Sequence, residues 1–431
     1  MNLKDDTINL HRILKGKIEI HNKVSLDSFK IDEASKKEDD EGEERTEEGI
    51  LSLIYTPGVA YISKEISKNE DKVYDYTSKG NNVAIVCDGT RVLGLGNIGP
   101  KGAIPVMEGK AVLFKILGNI NAFPLCIDIR DKEEIIKFVK AIQPFFGAIN
   151  IEDIESPKVL EIVERLQKEL SIPVFHDDQH GTAIITLAAL LNSLKIVNKE
   201  ISTVKIVIAG AGSAGYGIFK LLSKAGAKDI IVTDSTGAIN EKRIKEYENA
   251  PTTSAADNNN KNINNLYKRE IAIKTNPEKL SGSLEEVLKK ADVFIGVSGK
   301  GNLVSSQMVQ SMNSESIIFA LSNPDPEILP QDAVKAGARI VATGRSDFAN
   351  QINNAVVFPS VLRSLLDLRI NTLDEDMLVS VATAIASIVD DNSLKDNYIV
   401  PKIDDPRIIH IVTESLRNAI QMHIDGKRQV L

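Results

Sequence analysis

The segment Lys205-Ile-Val-Ile-Ala-Gly210-Ala-Gly212-Ser-Ala-Gly215 decides the fold. A short β-branched run enters a glycine turn, and from Ala214 to Lys224 the apolar residues recur with helical spacing. Strand, turn and helix in that order let the glycine backbone approach a pyrophosphate closely, with the phosphate charge at the helix N-terminus. Gly210, Ala211, Gly212, Ser213, Ala214 and Gly215 are therefore candidate cofactor-binding residues. The next strand ends at Asp234, about 20 residues on, where an acid can accept hydrogen bonds from an adenine-ribose diol. A glycine pattern alone also fits an ordinary tight junction; strand, helix and spaced acid together point to a dinucleotide. Asp234 would repel a ribose phosphate, which favours NAD. Lys242 and Arg243 follow shortly and could pair with such a phosphate, so NADP stays open.

Outward from this segment the chain alternates strand-like and helical patterns, which predicts an α/β protein with a mostly parallel sheet. Strands are expected at Val83–Cys87, Leu125–Ile129, Ala148–Glu152 and Val174–His176, then at Lys205–Ala209, Ile230–Thr233, Val293–Val297, Ile317–Ala320 and Arg339–Ala342. Helices are expected over Pro157–Leu170 and Ala214–Lys224, and the chain turns helical after Pro359. These patterns divide the chain into an N-terminal α/β domain (1–180), a Rossmann-like dinucleotide domain (181–353) and a helical segment (354–431) expected to pack back on the first domain. Residues Asp32 to Glu48 are acidic and poor in apolar residues, and 250–265 is asparagine-rich; both read as solvated loops.

With 431 residues, 42% hydrophobic and 26% charged, the chain can bury several cores. Its net charge of -8 comes almost entirely from the Asp32–Glu48 segment, so the body is near neutral and has no basic footprint for nucleic acid. No apolar run approaches the roughly 20 residues of a membrane helix. Acids at Asp5 and Asp6 do not suit a secretory leader, and a cytoplasmic location is expected. Cys87 and Cys126 lie in or at the end of apolar strand-like runs and read as small core residues.

Two acidic pairs, Glu152-Asp153 and Asp177-Asp178, follow strand-like runs. In α/β sheets such positions face the ligand crevice, and hard oxygen ligands there suit Mg²⁺ or Mn²⁺. Each pair alone also fits a helix N-cap or a solvated loop. His176 and His180 lack a third soft ligand and read as packing or hydrogen-bonding residues. Lys110, at the edge of the apolar helical stretch from Pro105 to Lys115, is either a snorkelling lysine or one whose pKa desolvation lowers toward that of a base. The glycine-rich stretch Gly94-Leu-Gly-Asn-Ile-Gly-Pro100 does not read as a Rossmann turn.

Taken in order, Ser52-Leu-Ile-Tyr55-Thr-Pro-Gly-Val-Ala60, Gly94–Pro100, Met107-Glu-Gly-Lys110, Phe175-His-Asp-Asp-Gln-His-Gly-Thr-Ala183 and Ser322-Asn323-Pro324 closely resemble the short bacterial and archaeal malic enzymes. The resemblance implies oxidative decarboxylation of malate to pyruvate and carbon dioxide. It implies Lys110 as general base with Asp177 beside it, Tyr55 as the acid that protonates C3 of enolpyruvate, and Glu152, Asp153 and Asp178 as ligands of the divalent metal. Asn323 and Asn354 correspond to the family's substrate and cofactor amides. Arg91, where short relatives carry a small residue, resembles the substrate-carboxylate arginine of the longer eukaryotic type. Dimers or larger homo-oligomers are implied as well. A malolactic outcome, or a silent NAD-binding regulatory protein, would share part of these features; the latter needs neither Tyr55 nor Lys110.

Overall fold

The computed structural model describes residues 8, 10, 14, 17, 54–248 and 266–428; the segments 32–48 and 250–265 read above as loops lie outside the described residues. Two compact units, Met1–Asn82 and Val83–Leu431, divide the chain. In the first, helix α1 (Val59–Lys68) buries none of its residues. It is followed by a short turn, Glu70–Lys72, capped by the Asn69 side chain. Tyr55 belongs to this unit and is 65% exposed.

The second unit holds two sheets. The first comprises β1 (Asn82–Cys87, whose first residue closes the preceding unit), β2 (Asn121–Cys126), β3 (Ala148–Glu152) and β4 (Val174–His176), ordered β2-β1-β3-β4. β1 and β3 are buried throughout, as a sheet covered on both faces demands. The second comprises β5 (Lys205–Ala209), β6 (Asp229–Asp234), β7 (Gly237–Ala238), β8 (Val293–Gly296), β9 (Ile317–Ala320) and β10 (Ile340–Thr343), ordered β10-β9-β8-β5-β6-β7. All its pairings are parallel except β6 with β7. The strand order reverses at β5, and the crevice between β5 and β8 is where such sheets take ligands.

Helix α2 (Gly99–Gly118) starts six residues before Pro105, which lies inside it, and ends on Asn119 in the left-handed conformation (φ 48°). The Gly94–Pro100 stretch therefore does join a strand, β1, to a helix, though in the first sheet. Helices α3 (Lys132–Ile142) and α4 (Lys158–Glu169) each bury one apolar stripe, in α4 formed by Val159, Leu160, Ile162, Val163 and Leu166. Helix α5 (Thr182–Val197) is apolar on nearly every face and buried accordingly. With the turn before it, this is the one described helix long and apolar enough to cross a membrane, and 78% of it is buried inside the protein.

Helix α6 (Ser213–Lys224) follows β5, while α7 (Glu241–Glu248) and α8 (Leu266–Lys274) follow β7. The C-terminal helices are α9 (Phe358–Asp367), α10 (Glu375–Ser387) and α11 (Arg407–Arg428). α9 packs on α2, with the Phe358 and Phe114 ring centroids 4.7 Å apart, and α10 packs on α5. One continuous core runs through both sheets and these helices.

Most expected elements fall within a residue or two of their positions. The strand expected at Leu125–Ile129 instead covers Asn121–Cys126, because an edge strand tolerates Pro124. Both cysteines are unbridged; Cys87 is buried, and Cys126, on the edge strand, only partly so.

Candidate active site

Register places the acids. Cys87 pairs with Glu152, and Ile151 pairs with His176, so the parallel strands bring Glu152 level with Asp177, the residue after β4. A tight π-helical turn, Asp177–Gly181, joins β4 directly to α5 and keeps Asp177 buried at the carboxyl edge of the sheet. An alanine Cβ at Gly181 would meet Asp177 Oδ1 at 2.1 Å, so only glycine leaves the Asp177 carboxylate where it stands. Asp153 has a left-handed backbone (φ 47°), uncommon for a side-chain-bearing residue and frequent at functional sites. Its carbonyl accepts the Arg91 backbone N–H at 3.0 Å.

Lys110 reaches this edge from α2, beside the buried stripe of Met107, Ala111 and Phe114. Its Nζ donates to Glu152 Oε1 and to Asp177 Oδ2, both at 2.5 Å, and lies 4.7 Å from the centre of the Phe358 ring. Asn354 Nδ2 donates to the same Asp177 oxygen at 2.6 Å, and Asn150 Nδ2 to Glu152 Oε1 at 2.7 Å. Lys110 is thus neither a snorkelling lysine nor one with a lowered pKa. Burial alone would depress it, but the charges of Asp177 and Glu152, and the hydrogen bonds to both, raise it above the ordinary lysine value. Burial pushes the Glu152 and Asp177 carboxyls up, with the Lys110 charge opposing. Asp153 is raised to about 7 by burial and by the charge of Asp178.

As the side chains stand, no group of three or more His, Cys, Asp or Glu among the described residues is placed to hold a metal ion. Glu152 Oε1 accepts instead from both Lys110 and Asn150. The donor set still fits a hard cation. Four neighbouring carboxylates, Glu152, Asp153, Asp177 and Asp178, outnumber the buried Lys110, and Asp177 Oδ1 is buried with no partner. His176 and His180 stay neutral: burial lowers both, His180 to about 3.

At the second sheet, Gly210 (φ 123°) sits against Val297, where a Cβ would meet the Val297 carbonyl oxygen at 2.5 Å. A Cβ on Gly215 would lie 1.8 Å from the Gly210 carbonyl oxygen, whereas one on Gly212 would meet nothing within 4 Å. Two glycines are thus required by packing, and the middle one leaves open space in front of α6, whose first turn carries Ser213 and Ala214. Ala211 completes the turn, partly buried against the core.

Asp234, at the end of β6, binds Arg243 and Lys268 at 2.8 Å. Arg91 and Asn323 are exposed. A Cβ on Gly299 would lie 3.1 Å from Arg91 Nη2, and one on Gly94 2.8 Å from the Asn323 carbonyl oxygen. Lys110, Glu152, Asp177 and Asn354 therefore form one bonded centre. Asp153 and Asp178 are its charged neighbours, Arg91 borders it through Asp153, and Asp234 stands apart at the other sheet.

Sequence reading missed Asn150, Phe358 and Lys268. Asn150 sits at even spacing from Glu152, on the same strand face, which is a signal only once β3 is known to end at the site.

Fold and site together define a two-sheet α/β enzyme of the nucleotide-dependent dehydrogenase class, with a lysine–carboxylate centre at the edge of the sheet that does not hold the glycine turn. Residues 179–419 match the family model described as malic enzyme, NAD binding domain, and residues 42–137 match malic enzyme, N-terminal domain. The chain belongs to the malic enzyme family. It is 46% identical to the bifunctional malic/malolactic enzyme of Bacillus subtilis (strain 168), over 97% of this chain and 93% of that protein. It is 39% identical to the NADP-dependent malic enzyme of Escherichia coli (strain K12), over 86% of this chain and 48% of that protein. The crystal structure of the NAD-dependent malic enzyme of Thermotoga maritima superposes with a TM-score of 0.82 at 43% identity, covering 96% of this chain and 99% of that one.

Proposed function

We propose that this protein converts malate to pyruvate and carbon dioxide, reducing NAD or NADP, with Mg²⁺ or Mn²⁺. The observation that carries the reading is Lys110 held between Glu152 and Asp177 at a sheet edge, with Asn354 on the same carboxylate. The nicotinamide supplies a hydride acceptor, and a divalent ion at Glu152, Asp153 and Asp178 supplies a Lewis acid for the C2 carbonyl.

The chain's own residues then do the following. Lys110 begins as an ammonium, so to serve as base for the C2 hydroxyl it must first pass a proton on. Asp177, in contact with it and raised toward protonation by burial, can take that proton. Asn354 keeps Asp177 oriented. Arg91 pairs with a malate carboxylate, and Asn323 supplies an amide to substrate and cofactor. Gly210 to Gly215 receive the pyrophosphate. Tyr55 protonates C3 of enolpyruvate. In this reading residues 1–180 bind substrate and metal, 181–353 bind the dinucleotide, and 354–431 add Asn354 and the Phe358 ring to the site. The protein works as a cytoplasmic homodimer or larger homo-oligomer.

The test is an assay of malate with NAD or NADP, with and without Mn²⁺, following reduced cofactor and pyruvate together. Metal-dependent formation of both in equal amounts is expected; neither product, with NADH still bound, would point to a silent binding protein. The Bacillus subtilis relative's name favours a second outcome, lactate formed without net NADH, which measuring lactate in the same mixtures reads as product without a rise in reduced cofactor or pyruvate.

A further inference from the structure

We propose that Glu327 is a positioning residue, holding the loops after β8 and β9 in the arrangement that seats the nicotinamide end of the dinucleotide. It acts through Ser298 and Ser322. This role rests on the dinucleotide reading of the Gly210–Gly215 turn and on the proposed oxidation of malate.

Glu327 is fully buried, and the partners of its carboxylate are all neutral. Its Oε1 accepts from the Ser298 backbone N–H at 3.0 Å, the Ser298 hydroxyl at 2.8 Å and the Ser322 hydroxyl at 2.5 Å. Its Oε2 accepts from the Ser322 backbone N–H at 3.2 Å. Ser322 Oγ in turn accepts from the Gly299 backbone N–H at 2.8 Å, so one hydroxyl links both loops to the acid. The fit is close: a Cβ on Gly296, the last residue of β8, would lie 2.4 Å from Glu327 Cδ. An apolar side chain would fill this space at lower cost, whereas a carboxylate bonded to both loops fixes one against the other.

The two loops run between the glycine turn and the acid centre. Ser298 follows Val297, whose carbonyl oxygen packs against Gly210 of the glycine turn. Gly299 comes next, and a Cβ on it would approach Arg91 Nη2, while the Arg91 backbone N–H donates to the Asp153 carbonyl. Ser322 is followed directly by Asn323, which is exposed and whose amide has no hydrogen-bond partner among the described residues. A ring joined to a pyrophosphate at Gly210–Gly215, reaching for a substrate beside Lys110, passes along these loops. Loops fixed in advance spare the ligand the cost of ordering them. A glutamine amide at position 327 accepts at one end only and sets a donor against the serine donors at the other.

The experiment titrates the full chain with NADH or NADPH, whichever binds more tightly, by nucleotide fluorescence. The competitor is the matching ADP-ribose or its 2′-phosphate, which lacks the nicotinamide. The wild type is expected to bind the whole dinucleotide more tightly than the fragment. Glu327→Gln is expected to raise the dissociation constant of the dinucleotide about tenfold, the scale of one buried donor left unpaired. The fragment's affinity should stay unchanged, and kcat for malate should fall by a similar factor. Ser322→Ala, which removes only the bridging hydroxyl, is expected to show the same split and decides the question should Glu327→Gln not fold. Equal weakening of both ligands, or no change in either, overturns the role, since a merely structural carboxylate would not tell them apart. Equal affinity of the wild type for dinucleotide and fragment overturns it too. In each of these cases the dinucleotide reading stands; if the wild type binds neither ligand, that reading falls as well.

Discussion

Lys110 shows how neighbours decide what a residue is. Burial by itself would make it a weak acid ready to lose its proton, yet the Glu152 and Asp177 carboxylates reverse that, and the lysine is held charged. Its removal leaves two buried carboxylates with no cation between them and, on the proposed mechanism, takes away the acceptor for the hydroxyl proton. Lys110→Ala is expected to lower kcat for malate by about 10²–10⁴-fold, the usual worth of a positioned acid–base group. Steady-state assays with malate and Mn²⁺ check this, and near wild-type turnover would remove Lys110 from the chemistry. None of this is legible locally. The sequence places Lys110 on a helix edge, but its partners lie 42 and 67 residues away.

At the scale of elements, two turns carry opposite lessons. In the β5–α6 turn, Gly215 is needed by the fold, whereas a Cβ on Gly212 would meet nothing within 4 Å, and the proposed function gives that space to the dinucleotide. Gly215→Ala forces a Cβ against the Gly210 carbonyl and is expected to cost about 1–3 kcal/mol of stability. Gly212→Ala has open space for its methyl and should leave the melting temperature alone while weakening NADH binding. Thermal melts and fluorescence titration of the two variants check the split; equal behaviour would sink it.

The Asp177–Gly181 turn buries His176 and His180 as neutral rings, His180 by desolvation and by the nearby Lys220 charge. The folded pKa of His180, about 3, lies below the unfolded value, so between roughly 6.5 and 3 the unfolded chain binds the extra proton. The contribution of His180 to stability is full above that window and is lost as pH falls through it. His180→Gln should therefore flatten the fall of melting temperature between about pH 6.5 and 4 relative to wild type. Parallel wild-type and variant curves would contradict the neutral buried histidine.

The molecule as a whole gathers acids at the edge of one sheet and a glycine turn at the edge of the other, with one continuous core beneath both. An excess of carboxylates over buried cations makes the acid cluster self-repelling, so a divalent ion bound there should stabilise the entire unit. Removing metal with EDTA is expected to abolish pyruvate formation and lower the melting temperature, and Mn²⁺ should restore both. At a hundredfold excess over its dissociation constant the ion adds about 2.7 kcal/mol. A melting temperature indifferent to EDTA and Mn²⁺ would argue against a metal held by Glu152, Asp153 and Asp178.

The sequence by itself determined the α/β class, the position of nearly every strand, the glycine turn and the acids that end β3 and β4. These are local matters: period, glycine spacing and charge are written within a few residues of each other. Only the tertiary structure decided that Glu152 turns to Lys110 and Asn150, that Phe358 comes to lie by Lys110, and that Lys268 closes on Asp234. Each of these depends on strand register and on helices from distant parts of the chain. A side chain's charge state and partners follow from what lies across the space around it, which no local pattern records.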